Sequence, residues 1–174
     1  RIVHPEVITE KMANVFYSWF WGRQDVYAKR SVNKSGNAGY YPQCYNFWKE
    51  NCPRRLGLKI KCIDCKFREH KPLRKEDIIA HLQGRALNAT DVIGVYPLLP
   101  NGTCRFMVFD FDNHEKDADK QDYANTDDEW IEEVEAMRKI CSMNGIDPLV
   151  ERSRSGKGAH IWIFFDRPIA AALV

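Results

Sequence analysis

The sequence predicts an α+β domain with an antiparallel or mixed sheet covered on one side by helices, plus a small cysteine-rich module. Segments with apolar residues at helical spacing alternate with short apolar runs of strand length. Two pairs of those runs are separated by turn chemistry: Pro100-Asn101-Gly102-Thr103 in one, Ser155-Gly156-Lys157-Gly158 in the other.

The elements follow in order. Over residues 5–20, Ile8, Met12, Val15, Phe16, Trp19 and Phe20 recur at helical spacing, and Gly22 stops the helix. Residues 25–30 alternate like a short strand, and 33–39 read as a turn. Residues 40–70 have little periodicity and look like a loop structure that needs a ligand to hold it. A short helix is expected over 75–83, with Ile78, Ile79 and Leu82 on one face and Gly84 as its stop. The apolar runs 92–99 and 104–112 then predict an antiparallel hairpin, because Asn-Gly takes the positive φ angles of tight turns. A further helix should begin at Thr126, which with Glu129 forms a capping box. Its buried stripe is Trp130, Val134, Met137 and Cys141, and Asn144-Gly145 ends it. Residues 148–154 and 160–166 complete the order as two strands joined by a glycine-rich turn.

Composition bounds the function. The chain has 174 residues, 44% hydrophobic and 29% charged, and no apolar run long enough to cross a bilayer. No secretory signal opens it, and its first residue is Arg rather than Met, so it reads as part of a longer protein. The net charge of +2 hides an asymmetry: residues 1–100 carry 17 Lys and Arg against 9 Asp and Glu, whereas 101–174 carry 9 against 15. A basic half suits a polyanion and an acidic half suits cations, although two solvated faces of opposite sign explain the charge equally well. Six cysteines without a secretory signal point to a reducing compartment. Cys104 and Cys141 sit among apolar residues and read as core packing.

Chemistry concentrates in three places. In Phe106-Met-Val-Phe109-Asp110-Phe111-Asp112-Asn113, strand alternation puts Asp110 and Asp112 on one face and Phe109 and Phe111 on the other. Neighbouring carboxylates repel unless a cation lies between them. Mg²⁺ or Mn²⁺ suits such oxygen donors and leaves room for substrate phosphates. The plainer alternative is a strand running out into solvent.

The second place is Glu151-Arg152-Ser153-Arg154-Ser155-Gly156-Lys157-Gly158-Ala159-His160. Its glycines let the backbone approach a ligand, and successive N–H groups in such a turn form an anion-binding concavity, to which Lys157 adds charge. Arg152 and Arg154 share one strand face, Glu151 and Ser153 the other. His160 opens the next strand, where a ring nitrogen can reach a phosphate oxygen. The alternative is a plain hairpin with a surface lysine, and P-loop spacing is absent. A cation site beside a phosphate cradle is what nucleotidyl transfer needs.

The third place is the cluster Cys44, Cys52, Cys62 and Cys65. Cys62-x-x-Cys65 lets two thiolates reach one ion, and the earlier pair closes a tetrahedral site, which predicts structural Zn²⁺. His70 is an alternative ligand, and a redox dithiol is the rival for Cys62 and Cys65. Arg54, Arg55, Lys59 and Lys61 surround the cluster, with Tyr40, Tyr41, Tyr45, Phe47 and Trp48 nearby. Basic groups contact phosphates and rings stack on bases, so the module is a candidate grip on a single-stranded template or primer. A miniature core around the zinc is the other reading of the rings.

Phe-Asp110-Phe-Asp112 followed by Ser-x-Ser155-Gly156-x-Gly158-x-His160 resembles motifs I and II of the archaeo-eukaryotic primase superfamily. With Gly22 to Arg30, the cysteine spacing, Ile93 to Leu99 and Glu151 to Gly156, the pattern is similar to the primase domain of TOTE conflict systems, usually prokaryotic. The resemblance implies a primase palm with RRM-like elements, and Asp110 and Asp112 as ligands of a catalytic Mg²⁺ or Mn²⁺. Arg154, Ser155, Gly156, Lys157, Gly158 and His160 would hold the triphosphate of a nucleoside triphosphate. It also implies a helicase domain on the same polypeptide and a cytoplasmic setting.

Read this way, residues 1–39 are the N-terminal helix and strand of the primase module, 40–72 a zinc-binding insertion, and 73–174 a partial catalytic core. The family's third metal-binding carboxylate is not found. Asp166 shares a strand face with His160 but lies about 20 Å along it. The chain is therefore expected to be incomplete for catalysis by itself. A zinc-stabilised nucleic-acid-binding module without catalysis is the alternative function, and a metal-dependent nuclease, which leaves the Ser-Gly-Lys-Gly-x-His turn unexplained, ranks last.

Overall fold

The computed structural model describes residues 7–112, 129–153 and 156–174. It is a mixed α+β structure of three helices and two antiparallel sheets, divided into two compact units. One unit runs to Cys104 and includes Ala170–Ala172; the other comprises Arg105–Ile169 and Leu173–Val174.

In the first unit, α1 spans Glu10–Trp19 and is capped by Thr9, whose hydroxyl accepts from the Met12 N–H at 3.2 Å. Helix α2, Lys75–Gln83, keeps the bounds expected from its periodicity and ends at Gly84 in the left-handed conformation. The two helices pack together and bury Ala13 and Ile78. Strand β1 (Ala28–Val32) pairs with β2 (Ala38–Pro42) and β3 (Ile93–Gly94) in the order β2-β1-β3. The turn between β1 and β2 is held by Asn33, whose side-chain oxygen accepts from the N–H groups of Ser35 and Asn37, each at 2.9 Å.

Here one expectation fails. The runs 92–99 and 104–112 do not form a ladder with each other: β3 is only two residues long and pairs with β1. The tight turn does form, with Gly102 at φ +77 and the Leu99 N–H donating to Thr103 O at 2.8 Å. Pro97 explains the loss, since it has no N–H to give to a ladder. Just before it, the Tyr96 carbonyl accepts from Arg23 N–H instead. A single sheet covered by helices is thus corrected to two three-stranded sheets.

The second sheet, which lies in the second unit from Arg105 of β4 to Ile169 of β6, has β4 (Thr103–Asp112), β5 (Leu149–Arg152) and β6 (Gly158–Ala170) in the order β4-β6-β5, with β5 and β6 antiparallel. Helix α3, Glu129–Met143, covers one sheet face. Val134, Ala159 and Ile161 form its core, with Phe109, Phe111, Trp130 and Met137 packed around them. Cys141, the last residue of the stripe expected on α3, is buried, and Cys104, in the first unit, is buried as well, as expected of core cysteines. The Thr126–Glu129 capping box and Asn113 lie outside the described residues. Alternation along β4 and β6 decides what the opposite face carries. With Phe109, Phe111, Ala159 and Ile161 turned to the core, Asp110, Asp112, His160 and Trp162 must turn away from it.

Candidate functional site

On that opposite face the end of β4 meets the start of β6. Asp110 and Asp112 are both exposed, on one side of their strand, as alternation requires. His160 Nε2 is 3.5 Å from Asp110 Oδ1. Gly158 is pressed against the end of β4: a Cβ there would strike the Phe111 carbonyl oxygen and lie 3.3 Å from Asp112 Oδ1. The glycine is therefore required by close approach to the acid strand rather than by its φ angle.

The turn between β5 and β6 is closed by Ser153 N–H donating to Gly158 O and Gly156 N–H donating to Ser153 O, both at 2.9 Å. Gly156 has φ +75, which favours glycine. The Arg152 guanidinium folds back and donates to Gly156 O from Nε at 3.2 Å and from Nη2 at 3.0 Å. Arg152 thus braces the turn, and the Gly156 N–H is engaged within it. Arg154 and Ser155 lie outside the described residues. Lys157 sits at the turn beside Gly158.

Sequence reasoning assigned no role to Glu151. It pairs with His160 across the ladder, and its Oε2 lies 3.3 Å from His160 Nδ1 and 2.9 Å from the donating Trp162 Nε1. The signal was present in the turn. If Ser153 and Gly158 close it, counting back two residues on one strand and forward two on the other brings Glu151 opposite His160. Asp166, by contrast, is further along β6, where its carbonyl accepts from Arg105 at 3.3 Å.

The cysteine module lies in the first unit. Cys44, Cys52, Cys62, Cys65 and His70 all line one cavity of about 30 Å³, room for a single ion or water. Cys44 and His70 are bridge partners, and the flanking bonds, Tyr45 N–H to Glu69 O and Lys71 N–H to Gln43 O, make them a non-hydrogen-bonded pair. In such pairs the side chains stand closest, about 4.5 Å between Cα atoms. Cys44 Sγ accepts from the backbone N–H groups of Asn46 and Glu69, each at 3.4 Å. His70 Nδ1 is buried without a hydrogen-bond partner. As they stand, no three His, Cys, Asp or Glu side chains among the described residues gather as a metal-holding group. All six cysteines are free.

Of the basic residues near this module, Arg54 lies over the Tyr41 ring at 3.4 Å and Arg55 donates to the Trp48 carbonyl, so both brace the module itself. Lys59 and Lys61 are exposed, as is Trp48 at 75%.

The family model of the archaeo-eukaryotic primase domain of TOTE conflict systems matches residues 11–174, and the chain belongs to that family. Membership gives the coarse class, a primase-type nucleotidyltransferase domain whose partners are nucleic acid and nucleoside triphosphates. No curated protein matches the chain. Among the described residues, no helix is long and apolar enough to cross a membrane.

Proposed function

We propose that this chain carries the metal and nucleotide site of a DNA-directed primase or primase-polymerase, which adds nucleotides along a single-stranded template. The observation that supports it most is the meeting of acids and glycine turn: His160 within 3.5 Å of Asp110, and Gly158 against Phe111 and Asp112. Two exposed carboxylates on one face suit Mg²⁺ or Mn²⁺, which bind through one or two acids and leave their other positions to phosphates and water. Asp110 and Asp112 would hold the ion. When bound, such an ion clamps the triphosphate and offsets the charge that develops as the 3′-hydroxyl attacks.

The chain's own residues bind and orient. Lys157 and Arg154 neutralise phosphate charge, Ser155 donates a hydroxyl, and His160 donates from its ring to a phosphate oxygen. Gly156 and Gly158 allow the close backbone approach on which this depends. Incorporation of labelled nucleotide on a single-stranded template, with Mg²⁺ or Mn²⁺, tests the reading in the full-length protein. Asp110→Ala should abolish it; a mutant as active as the native enzyme sinks it.

In the same reading, Cys44, Cys52, Cys62 and Cys65 hold a structural Zn²⁺, with His70 as the fifth candidate donor. Supporting it are the shared cavity, the close Cys44–His70 pair and the partnerless His70 nitrogen. The exposed Trp48, Lys59 and Lys61 favour a second role for this module, gripping the template strand. If incorporation fails while strand binding persists, the protein is a nucleic-acid-binding module without catalysis. From the family alone we also infer a helicase domain on the same polypeptide and a prokaryotic cytoplasm, a compartment that suits six free cysteines.

A further inference from the structure

We propose that Glu151 is the positioning residue for His160. This rests on the nucleotidyl-transfer reading for its purpose, but the geometry stands apart from it. Three side chains from two strands converge. Trp162 Nε1 donates to Glu151 Oε2 at 2.9 Å, and His160 Nδ1 stands 3.3 Å from the same oxygen. On the other side of the ring, Nε2 is 3.5 Å from Asp110 Oδ1. The indole N–H cannot accept and has one direction to donate, so it pins the carboxylate oxygen in place.

An ionised carboxylate only accepts, so its contact with His160 requires the proton on Nδ1. That settles which nitrogen faces which partner. Nδ1 is spent on Glu151, and Nε2 is left to the acid strand, where the metal and the phosphates would sit. Glu151 thus holds the ring in the orientation that turns Nε2 toward the acid strand. The pairing is built into the hairpin: Glu151 and His160 are ladder partners, and Trp162 is the next residue along the same face of β6. Glu151 touches neither acid in this role; it acts through the imidazole.

The test reads the ring itself. Long-range ¹H–¹⁵N correlation spectra of the protein should show His160 protonated at Nδ1. Glu151→Ala should lose that signature, and Glu151→Gln, whose amide oxygen still accepts, should keep it. Affinity for a deoxynucleoside triphosphate with Mn²⁺ should fall about tenfold in Glu151→Ala, the low end of the loss when the partner behind a metal-bound histidine is removed, and less in Glu151→Gln. An unchanged His160 ring spectrum in Glu151→Ala overturns the proposal, as does native affinity in that variant. Should the native protein bind no triphosphate, the nucleotidyl-transfer reading fails, while the ring spectra still decide whether Glu151 sets the imidazole.

Discussion

Phe111 and Gly158 leave no space between them for a side chain: a Cβ on residue 158 would strike the Phe111 carbonyl oxygen and press on Asp112 Oδ1 at 3.3 Å. The turn reaches the acid strand only because residue 158 lacks one. Gly158→Ala should therefore push the strands apart, at about 1–3 kcal/mol for overpacking. Thermal unfolding should show a lower midpoint together with weaker triphosphate binding. Asp110→Ala, on a side chain 69% exposed, should leave stability within about 0.5 kcal/mol of native. The two variants separate a structural contact from a chemical one.

Metal analysis of the purified protein should find about one Zn²⁺ per chain, as a closed structural site requires. Chelation should lower the unfolding midpoint, because the turns between Cys44 and His70 bury little apolar surface of their own: Trp48 is 75% exposed and Ile63 71%. Cys62→Ser should lose the ion. His70→Ala should weaken its retention if the partnerless Nδ1 is a ligand. Zinc content equal to native in Cys62→Ser would remove that cysteine from the site.

Single-strand binding should depend on salt, and the double variant Lys59→Ala, Lys61→Ala should flatten that dependence. Each lost phosphate contact lowers the slope of log K against log salt by about 0.7 for a single strand. Arg54→Ala should act differently. Its guanidinium is stacked on Tyr41, so the loss should appear in the stability of the module as well as in binding.

His81 on α2 gives the first unit an acid-side weakness. Burial pushes its pKa below the ordinary 6.5, with nearby Asp91 opposing the shift, and its Nδ1 is buried without a partner. The folded state therefore binds the proton less readily than the unfolded chain. Stability is fully present above about pH 6.5 and is lost as pH falls from there through the depressed folded value. Denaturant unfolding between pH 7.5 and about 5.5 should show this decline. His81→Gln, which cannot take up the proton, should flatten it.

Local signals were legible where one short segment carries all the information. The bounds of α2, the stop at Gly84, the buried stripe of α3 and the shared face of Asp110 and Asp112 all follow from periodicity and one or two terminal residues. Pairing between segments was harder. The Asn-Gly turn was correctly read as a turn, but Pro97 deprived the preceding run of a ladder donor, and β3 went to β1 instead.

By itself, the sequence determined the family, the two acids on one strand face, and the glycine turn with its histidine, because each is written in contiguous residues and a fixed alternation. Only the tertiary structure decided that His160 stands between Asp110 and Glu151, that Trp162 holds Glu151, and that His70 shares a cavity with four cysteines. Asp110 and His160 are far apart in the chain, and even Glu151 and Trp162, near in sequence, meet only through the pairing of two strands. Register and packing set these relations, and a change of one residue in register would carry each side chain to the opposite face.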